Sequence, residues 1–207
     1  MHPNPAFRPE NHVESIELAR EWGFGTLAVA SSDAAPMMSH IPFLISPDGS
    51  FAELHLVRSN PITRAINTAT PARIAVMGPH GYISPDWYGI ENQVPTWNYV
   101  AFHLTGRLVP LPATDLPGIL VRLSNHFEEQ LTPKPVWSMD KIEPDTQEKL
   151  MRQIAPFRFE IDEFESTWKL GQNKPADARL SASKNLEAHG VGGDAQVLAG
   201  LMRKPPL

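Results

Sequence analysis

The chain has 207 residues, 42% of them hydrophobic and 20% charged, which is typical of a globular protein and not of a disordered one. It contains no cysteine, which excludes disulfides, thiol catalysis, zinc–thiolate sites and iron–sulfur clusters. A formal net charge of −5, without any run of Lys or Arg, argues against a broad electrostatic interface with nucleic acid.

The first residues show no targeting signal. Met1-His2-Pro3-Asn4-Pro5 lacks a basic segment followed by an apolar stretch, and no apolar run in the sequence approaches the length of a membrane span. We therefore expect a cytoplasmic protein that does not enter the membrane.

The first third of the chain predicts a short helix followed by a meander of strands. Asn11 and Glu14 form a capping-box pattern, Ser46-Pro47-Asp48-Gly49-Ser50 is a strong turn signal, and Pro42 indicates an edge strand or a bulge. We expect a helix from Asn11 to about Trp22 and strands at residues 26–31, 37–45 and 51–57.

The rest of the chain alternates further strands with helices. Asp145 and Glu148 form a second capping-box pattern. We expect strands at residues 72–77, 96–108 and 157–164 and helices at residues 61–69, 115–131, 145–154 and 194–203. Short strands with 21 prolines and few early helices predict a mainly β fold of the α+β class, a small antiparallel barrel with peripheral helices. The expected organisation is one domain over residues 1–207, with a C-terminal helical segment from about residue 175 packed on it.

The first candidate site follows a predicted strand at Arg58-Ser59-Asn60-Pro61. Asn60 and Pro61 suit the N-cap and first turn of a helix, whose unbonded N–H groups and partial positive charge attract a phosphate. Arg58 adds a forked donor and Ser59 a hydroxyl. An ordinary capped helix with a surface arginine explains the same residues.

The second candidate site is aromatic. It holds Ser84 and Trp87 in the run Gly81–Tyr88, followed by Thr96-Trp97-Asn98-Tyr99. Rings mixed with hydroxyl and amide groups suit a flat ligand with a polar edge, because the rings stack on its face and the polar groups bond its rim. The alternative is an aromatic strand pair packed on a neighbouring subunit.

The third candidate site is the stretch Lys169-Leu170-Gly171-Gln172-Asn173-Lys174, in which two cations and two amides could donate to carbonyls or phosphate. A solvated loop is the alternative. His40, in Met38-Ser39-His40-Ile41-Pro42, is more typical of a structural histidine than of a ligand. The sequence lacks a P-loop, a dinucleotide fingerprint, a zinc-protease motif, a nucleophile elbow and a clear helix-turn-helix, so we expect no metal site and find little support for a hydrolase.

Several of these segments together resemble one known family. They are Ser39-His40-Ile41-Pro42, His55-Leu56-Val57-Arg58-Ser59-Asn60-Pro61, Gly78–Pro85, Trp87-Tyr88, Val94–Tyr99 and Lys169–Asn173, in that order. They resemble the PaiB-like proteins, also called the FMN-binding negative transcriptional regulator family, from about residue 3 to residue 202. The chain departs from the family at Gly171, where Ser is usual, and at Lys174, where Arg is common.

The resemblance implies a split β-barrel of the FMN-binding type and a homodimer with FMN in clefts at the subunit interface. It implies that Arg58, Ser59 and the helix start after Asn60 hold the phosphate. Thr96, Trp97, Asn98 and Tyr99 would line the ring or the second subunit's share of the cleft, with Ser84 and Trp87 nearby. Lys169, Gln172 and Asn173 would close over the cofactor. No catalytic residue is assigned; His40 and His55 are the best candidates for an acid or base.

Four functions stay open on the sequence, and one of them is a vestigial binder without turnover. The first is a flavin-dependent oxidoreductase or flavin-linked regulator, in which the protein positions the cofactor. The second is a transcriptional regulator that binds DNA directly, which the negative charge disfavours. The third is a haem-binding or haem-degrading barrel protein with His40, His55, His80 or His103 as axial ligand.

Overall fold

Seven strands and six α-helices make up the part of the chain that the computed structural model describes, residues 1–9, 11–31 and 35–205. The strands are β1 (Phe24–Val29), β2 (Met37–Ile45), β3 (Phe51–Val57), β4 (Thr70–Ile83), β5 (Thr96–Pro110), β6 (Ile154–Lys169) and β7 (Gly192–Gly193). The helices are α1 (Val13–Trp22), α2 (Pro61–Ala65), α3 (Leu116–Glu129), α4 (Pro144–Met151), α5 (Ala176–His189) and α6 (Ala195–Arg203). Short 3-10 helices cover Pro5–Phe7, Pro85–Tyr88, Ala113–Asp115 and Met139–Lys141.

The strands form one antiparallel sheet that closes on itself. Their order is β1-β2-β3-β6-β5-β4-β7, and β1 also pairs with β4, so that six strands form a ring of hydrogen-bonded neighbours. The register places Leu27 opposite Ile74 on the closing side and Leu54 opposite Phe157 between β3 and β6. This ring confirms the antiparallel barrel that the sequence predicts.

The turn between β2 and β3 lies at residues 46–50, where the sequence predicts it. The Asp48 carboxylate accepts from the Ser46 hydroxyl at 2.6 Å and from the Ser50 backbone N–H at 3.1 Å. These bonds, led by the one from Ser46, lower the pKa of Asp48 to about 2. An Asx-type turn of this kind fixes the hairpin register, because strand pairing starts directly on both sides of it.

Pro42 is not at a sheet edge, which corrects the first of the two expectations for it. Strand β2 lies between β1 and β3, and Pro42 is the last β2 residue that pairs with β1, opposite Phe24. Pairing with β3 begins at Phe43, opposite Leu54. Proline has no backbone N–H to donate, and Pro42 lies at the point where the pairing of β2 changes from β1 to β3.

Two compact units divide the described chain. The first combines residues 1–15, Val76–His103 and the chain from Glu165; the second combines Ile16–Ala75 and Leu104–Phe164. Each has an apolar interior of its own: Ile83, Phe102, Trp168, Leu186 and Leu198 in the first, and Phe43, Leu54, Ile74, Phe157 and Phe159 in the second. That residues 1–207 form a single domain stays a prediction.

The second unit also buries a charged group. The Glu53 carboxylate on β3 accepts from Nε and Nη2 of Arg122 on α3 at 2.7 and 2.8 Å. This two-bond contact fixes α3 over the β3 face that carries Glu53, and it supplies the partner that a buried carboxylate requires.

The helices follow the predicted spans with two differences. Helix α2 has five residues instead of about nine, and α4 begins after Glu143 without the side-chain cap expected from Asp145. Within the C-terminal helical segment, α5 and α6 are separate helices. None of the described helices is long and apolar enough to cross a membrane.

Candidate functional site

Asn60 serves the fold of the second unit with both ends of its side chain. Its Oδ1 accepts from the Ile62 backbone N–H at 2.9 Å, which makes it the N-cap of α2, and its Nδ2 donates to Ser39 Oγ at 3.1 Å. Asn60 as N-cap and Pro61 in the first turn therefore confirm the sequence pattern. Helix α2 has only five residues, so its dipole is small, and its Ile62 N–H is already bonded to Asn60. The start of α2 is therefore a weak binding site for an anion.

Arg58 and Ser59 keep donors that the fold does not use. The Arg58 backbone N–H donates to Gln153 O at 2.8 Å, and its side-chain Nε donates to Arg152 O at 2.9 Å. These bonds hold the arginine against the connection before β6. No hydrogen bond from its two terminal nitrogens occurs within the described residues, and the Ser59 side chain is exposed. The pair suits a phosphate, as the sequence suggests.

The four residues that open β5 do not share one face. Successive strand side chains point to opposite sides, so Thr96 and Asn98 lie on one side and Trp97 and Tyr99 on the other. Asn98 is fully buried and donates to the sulfur of Met202 at 3.6 Å. The four side chains therefore do not line one face together, and their part in cofactor binding stays a prediction.

Trp97 is the exposed ring of this group. Almost half of its surface is accessible (47%), and its ring centre lies 6.3 Å from Tyr82 and 6.1 Å from His80. Ser84 and Trp87, both half-buried, enter the 3-10 helix Pro85–Tyr88, where the Trp87 N–H donates to Ser84 O at 3.2 Å. An exposed indole beside other rings offers a stacking surface for a flat ligand.

The stretch after β6 is a tight turn that fixes its amides. Gln172 accepts from the Leu170 N–H at 2.8 Å and donates to Trp168 O at 2.6 Å, so its side chain closes the turn. Gly171 has φ +79°, a left-handed conformation that strains the serine usual in the family. Asn173 is exposed, whereas Lys174 is half-buried.

Lys169 and Lys174 form a pair of ammonium groups held by neutral oxygens. Lys169 Nζ donates to Thr96 Oγ1 at 2.6 Å, and Lys174 Nζ donates to Gln93 Oε1 at 2.6 Å while lying 5.5 Å from the Tyr88 ring centre. Neither lysine has an ion pair with a carboxylate among the described residues. Burial, and next the charge of Lys174, lowers the pKa of Lys169. We refer to Lys169, Lys174 and Thr96 as the lysine pair site.

The lysine pair site has the chemistry of an anion site. Two repelling cations without a carboxylate are stabilised by an added negative charge, and a phosphate accepts from both ammonium and hydroxyl donors. The residues present therefore fit a phosphate-bearing cofactor such as FMN. Gln93 and Tyr88, which position the Lys174 ammonium, were not among the predicted site residues. Their contact with Lys174 depends on the tertiary structure, so no local sequence pattern indicates it.

Comparison with known proteins identifies the family. A family model described as "Putative FMN-binding domain" matches residues 1–163. The Bacillus subtilis protein "Protease synthase and sporulation protein PAI 2" is 30% identical over 183 residues, covering 87% of this chain and 86% of that protein.

Solved structures agree in fold. An FAD- and haem-binding protein from Mycobacterium smegmatis superposes with a TM-score of 0.57 at 17% identity, covering 88% of this chain and 80% of that one. A conserved hypothetical protein from Mycobacterium tuberculosis gives 0.54 at 12% identity, covering 84% and 94%. Together with the closed strand ring, these likenesses give the fold as a split β-barrel. The chain belongs to the PaiB-like family of FMN-binding proteins, and its cofactor is a flavin.

Proposed function

We propose that this protein is an FMN-dependent oxidoreductase that acts as a homodimer and uses the lysine pair site to hold the negatively charged part of FMN. The observation that carries the proposal is the half-buried Lys169 ammonium. Its hydrogen-bond partner within the described residues is the neutral Thr96 hydroxyl, and burial, followed by the charge of Lys174, lowers its pKa. Such an arrangement is costly for the protein alone, because burial and like charge both disfavour the protonated amine.

A bound anion removes this cost. Lys169 and Thr96 would donate to FMN, and the second cation, Lys174, would add to the field that attracts its phosphate. The exposed Trp97 ring would offer a face on which a flat ring system stacks. When bound, flavin supplies electron and hydride transfer, and the protein's part is to orient it and tune its electrostatic surroundings.

Flavin titration of a lysine variant tests the assignment. We expect the purified protein to retain an absorption band near roughly 450 nm with FMN, and Lys169→Gln to raise the Kd for FMN about tenfold, the loss of one charge-assisted hydrogen bond. Lys184→Gln removes an exposed charge from α5 in the same unit and serves as the control. Equal FMN affinity of the two variants would show that Lys169 does not bind the cofactor.

Arg58 and Ser59 are a separate proposal for phosphate binding. The unused terminal nitrogens of Arg58 and the exposed Ser59 hydroxyl support it, whereas the structural bonds of Asn60 speak for a purely structural role of that side chain. If this pair holds the single phosphate of FMN in place of the lysine pair site, Arg58→Gln should weaken FMN binding by a similar factor of about ten. Unchanged affinity in Arg58→Gln would remove this residue from the flavin site without affecting the assignment of Lys169.

Haem binding is a second candidate function, because one histidine is prepared as a ligand. The His80 Nδ1 lies 3.0 Å from Gly78 O, and since a carbonyl only accepts, Nδ1 must donate and Nε2 carries the lone pair. The M. smegmatis protein of the same fold binds haem as well as FAD. A Soret band on adding hemin, lost in His80→Ala but kept in His40→Ala, would support this function. A band unaffected by His80→Ala would exclude His80 as the ligand.

A flavin-linked regulatory role is the alternative within the same family. The name of the B. subtilis relative connects that protein to protease synthesis and sporulation. For this chain, a net charge of −5 supports an indirect effect through flavin chemistry over direct binding to DNA. Salt-sensitive retardation of genomic DNA fragments in a gel would contradict that preference.

A further inference from the structure

A second cationic feature lies in the first unit, apart from Lys169 and Thr96. It is a cleft of about 600 Å³ whose charged lining groups are Arg8, Lys174 and Arg179. None of the described residues that line it is Asp or Glu, although the whole chain is acidic. We refer to this feature as the basic cleft.

The N-terminal segment forms one wall of the basic cleft. Phe7 is buried, and the His2 backbone N–H donates to Thr167 Oγ1 at 3.2 Å, which fixes this short segment to the unit. Arg8 then donates from Nε and Nη2 to His2 O at 3.2 and 3.1 Å. These two bonds orient the guanidinium and leave its Nη1 without a partner among the described residues.

The part of the lining that α5 provides is also fixed. Arg179, in the first turn of α5, donates from Nη1 to Arg203 O at 3.0 Å and to Met202 O, so it joins the start of α5 to the end of α6. The buried Trp168 contributes to the lining and is held by a 2.9 Å bond from its Nε1 to Ser15 Oγ. Three cations are thus held on a preformed surface, and no ion pair within the described residues neutralises any of them.

The size and charge of the basic cleft determine what it suits. Its volume exceeds that of a single phosphate or carboxylate and lies in the range of small-molecule sites. Two guanidinium groups held by backbone carbonyls and one ammonium held by the Gln93 side-chain oxygen suit a ligand that carries more than one negative group, because each group finds its own charged donor. Pro5, Ala6, Pro9 and Ala176 provide apolar surface beside these donors.

We propose that the basic cleft binds a small molecule with two or more anionic groups, either phosphates or carboxylates, at the same time as FMN. The site goes beyond the proposed flavin function. Lys174 belongs to the basic cleft and also lies close enough to Lys169 to influence its pKa, so the two sites adjoin within one unit.

Calorimetric titration of the FMN-loaded protein tests the proposal. The probes are inorganic pyrophosphate and citrate in separate experiments, and the stronger binder identifies phosphate or carboxylate as the preferred group. Arg8→Gln should weaken binding of that probe about tenfold. Ala6→Asp, which places a carboxylate in the exposed rim while keeping every cation, should weaken it by about tenfold or more.

Lys184→Gln, which removes an exposed cation outside the basic cleft, should leave binding of the probe unchanged. Three results would overturn the proposal: neither probe binds saturably, both cleft variants bind like the parent protein, or FMN loading abolishes binding of the probes. In the last case the basic cleft is part of the flavin site. None of these outcomes depends on whether Lys169→Gln alters FMN affinity, so failure here is distinct from failure of the proposed function.

Discussion

At the scale of single residues, His55 is a half-buried titratable side chain on β3. Glu53, His55 and Val57 share one face of β3, because strand side chains alternate, and the Glu53–Arg122 contact shows that α3 covers this face. The buried His55 Nδ1 has no hydrogen-bond partner among the described residues. Burial lowers the pKa of His55.

The lowered pKa predicts a pH-dependent stability. A histidine whose pKa in the folded state lies below its unfolded value of 6.5 favours folding while it is neutral. This contribution is fully present above pH 6.5 and is lost as the pH falls toward the folded-state pKa, because the unfolded chain takes up the proton first. Urea unfolding between pH 7.5 and 5 should therefore show a smaller loss of stability for His55→Gln than for the parent protein.

The control for this prediction is His126→Gln on α3, which removes a histidine whose ring bonds the exposed Gln130 side chain. It should leave the pH dependence close to that of the parent protein. Parallel stability curves for the parent and His55→Gln would contradict the assignment of this pH dependence to His55.

The sequence predicted some site residues by local pattern and could not place others. Asn60 as a helix cap follows from the residue type and the proline after it, because capping is a local interaction. The separation of Thr96 and Asn98 from Trp97 and Tyr99 follows equally from strand alternation. Arg8 and Arg179 meet in the basic cleft only through tertiary structure, since 171 positions separate them, and no local pattern indicates the pairing.

At the scale of elements, the sequence prediction makes two strands too short, β4 and β6. Strand β4 runs from Thr70 to Ile83, whereas the sequence analysis expects a strand at residues 72–77. In the extended part of β4, Gly81 pairs with Gly192, and a Cβ on Gly192 would lie 2.1 Å from His80 O, so glycine there permits a close backbone contact. Glycine signals a turn and a close backbone contact equally well, so sequence alone could not distinguish them.

Gly106 provides a test of close backbone contact inside the second unit. A Cβ at Gly106 on β5 would lie 1.9 Å from the Glu160 carbonyl oxygen on β6, which real side chains do not tolerate. Gly106→Ala must separate the two strands locally and should lower the free energy of unfolding by about 3 kcal/mol. Chemical denaturation monitored by tryptophan fluorescence measures the change.

Gly200→Ala is the matched control for Gly106→Ala, because a Cβ at Gly200 in α6 meets no atom within 4 Å. The replacement should stabilise the protein by about 0.5–1 kcal/mol through higher helix propensity. Ordinary surface substitutions change the free energy of unfolding by up to about 0.5 kcal/mol. If Gly106→Ala lowers it by no more than this, β5 and β6 can move apart at little energetic cost.

At the scale of the whole molecule, the β1–β2 hairpin presents an apolar outer face. Phe24 (57% exposed) and Met38 (66% exposed) lie on the same side of the hairpin, because Thr26 pairs with His40 between them. The side chains of Thr26 and His40 bond each other at 3.0 Å, so they leave the larger apolar groups beside them uncovered. Exposed apolar side chains grouped on one sheet face are typical of an interaction surface. We propose that a second copy of this chain covers it.

Disruption of the hairpin face tests both the homodimer and the interface location of the flavin. Light scattering during size-exclusion chromatography should give twice the chain mass for the parent protein. Met38→Asp should yield monomers, because a carboxylate buried between subunits loses its hydration without gaining a partner. Val13→Asp changes an equally exposed apolar residue on α1 and should remain dimeric. If FMN binds at the subunit interface, Met38→Asp must also weaken FMN binding. A monomeric variant with unchanged FMN affinity would instead show that the flavin binds within one chain. A dimeric Met38→Asp variant would show that another surface joins the subunits.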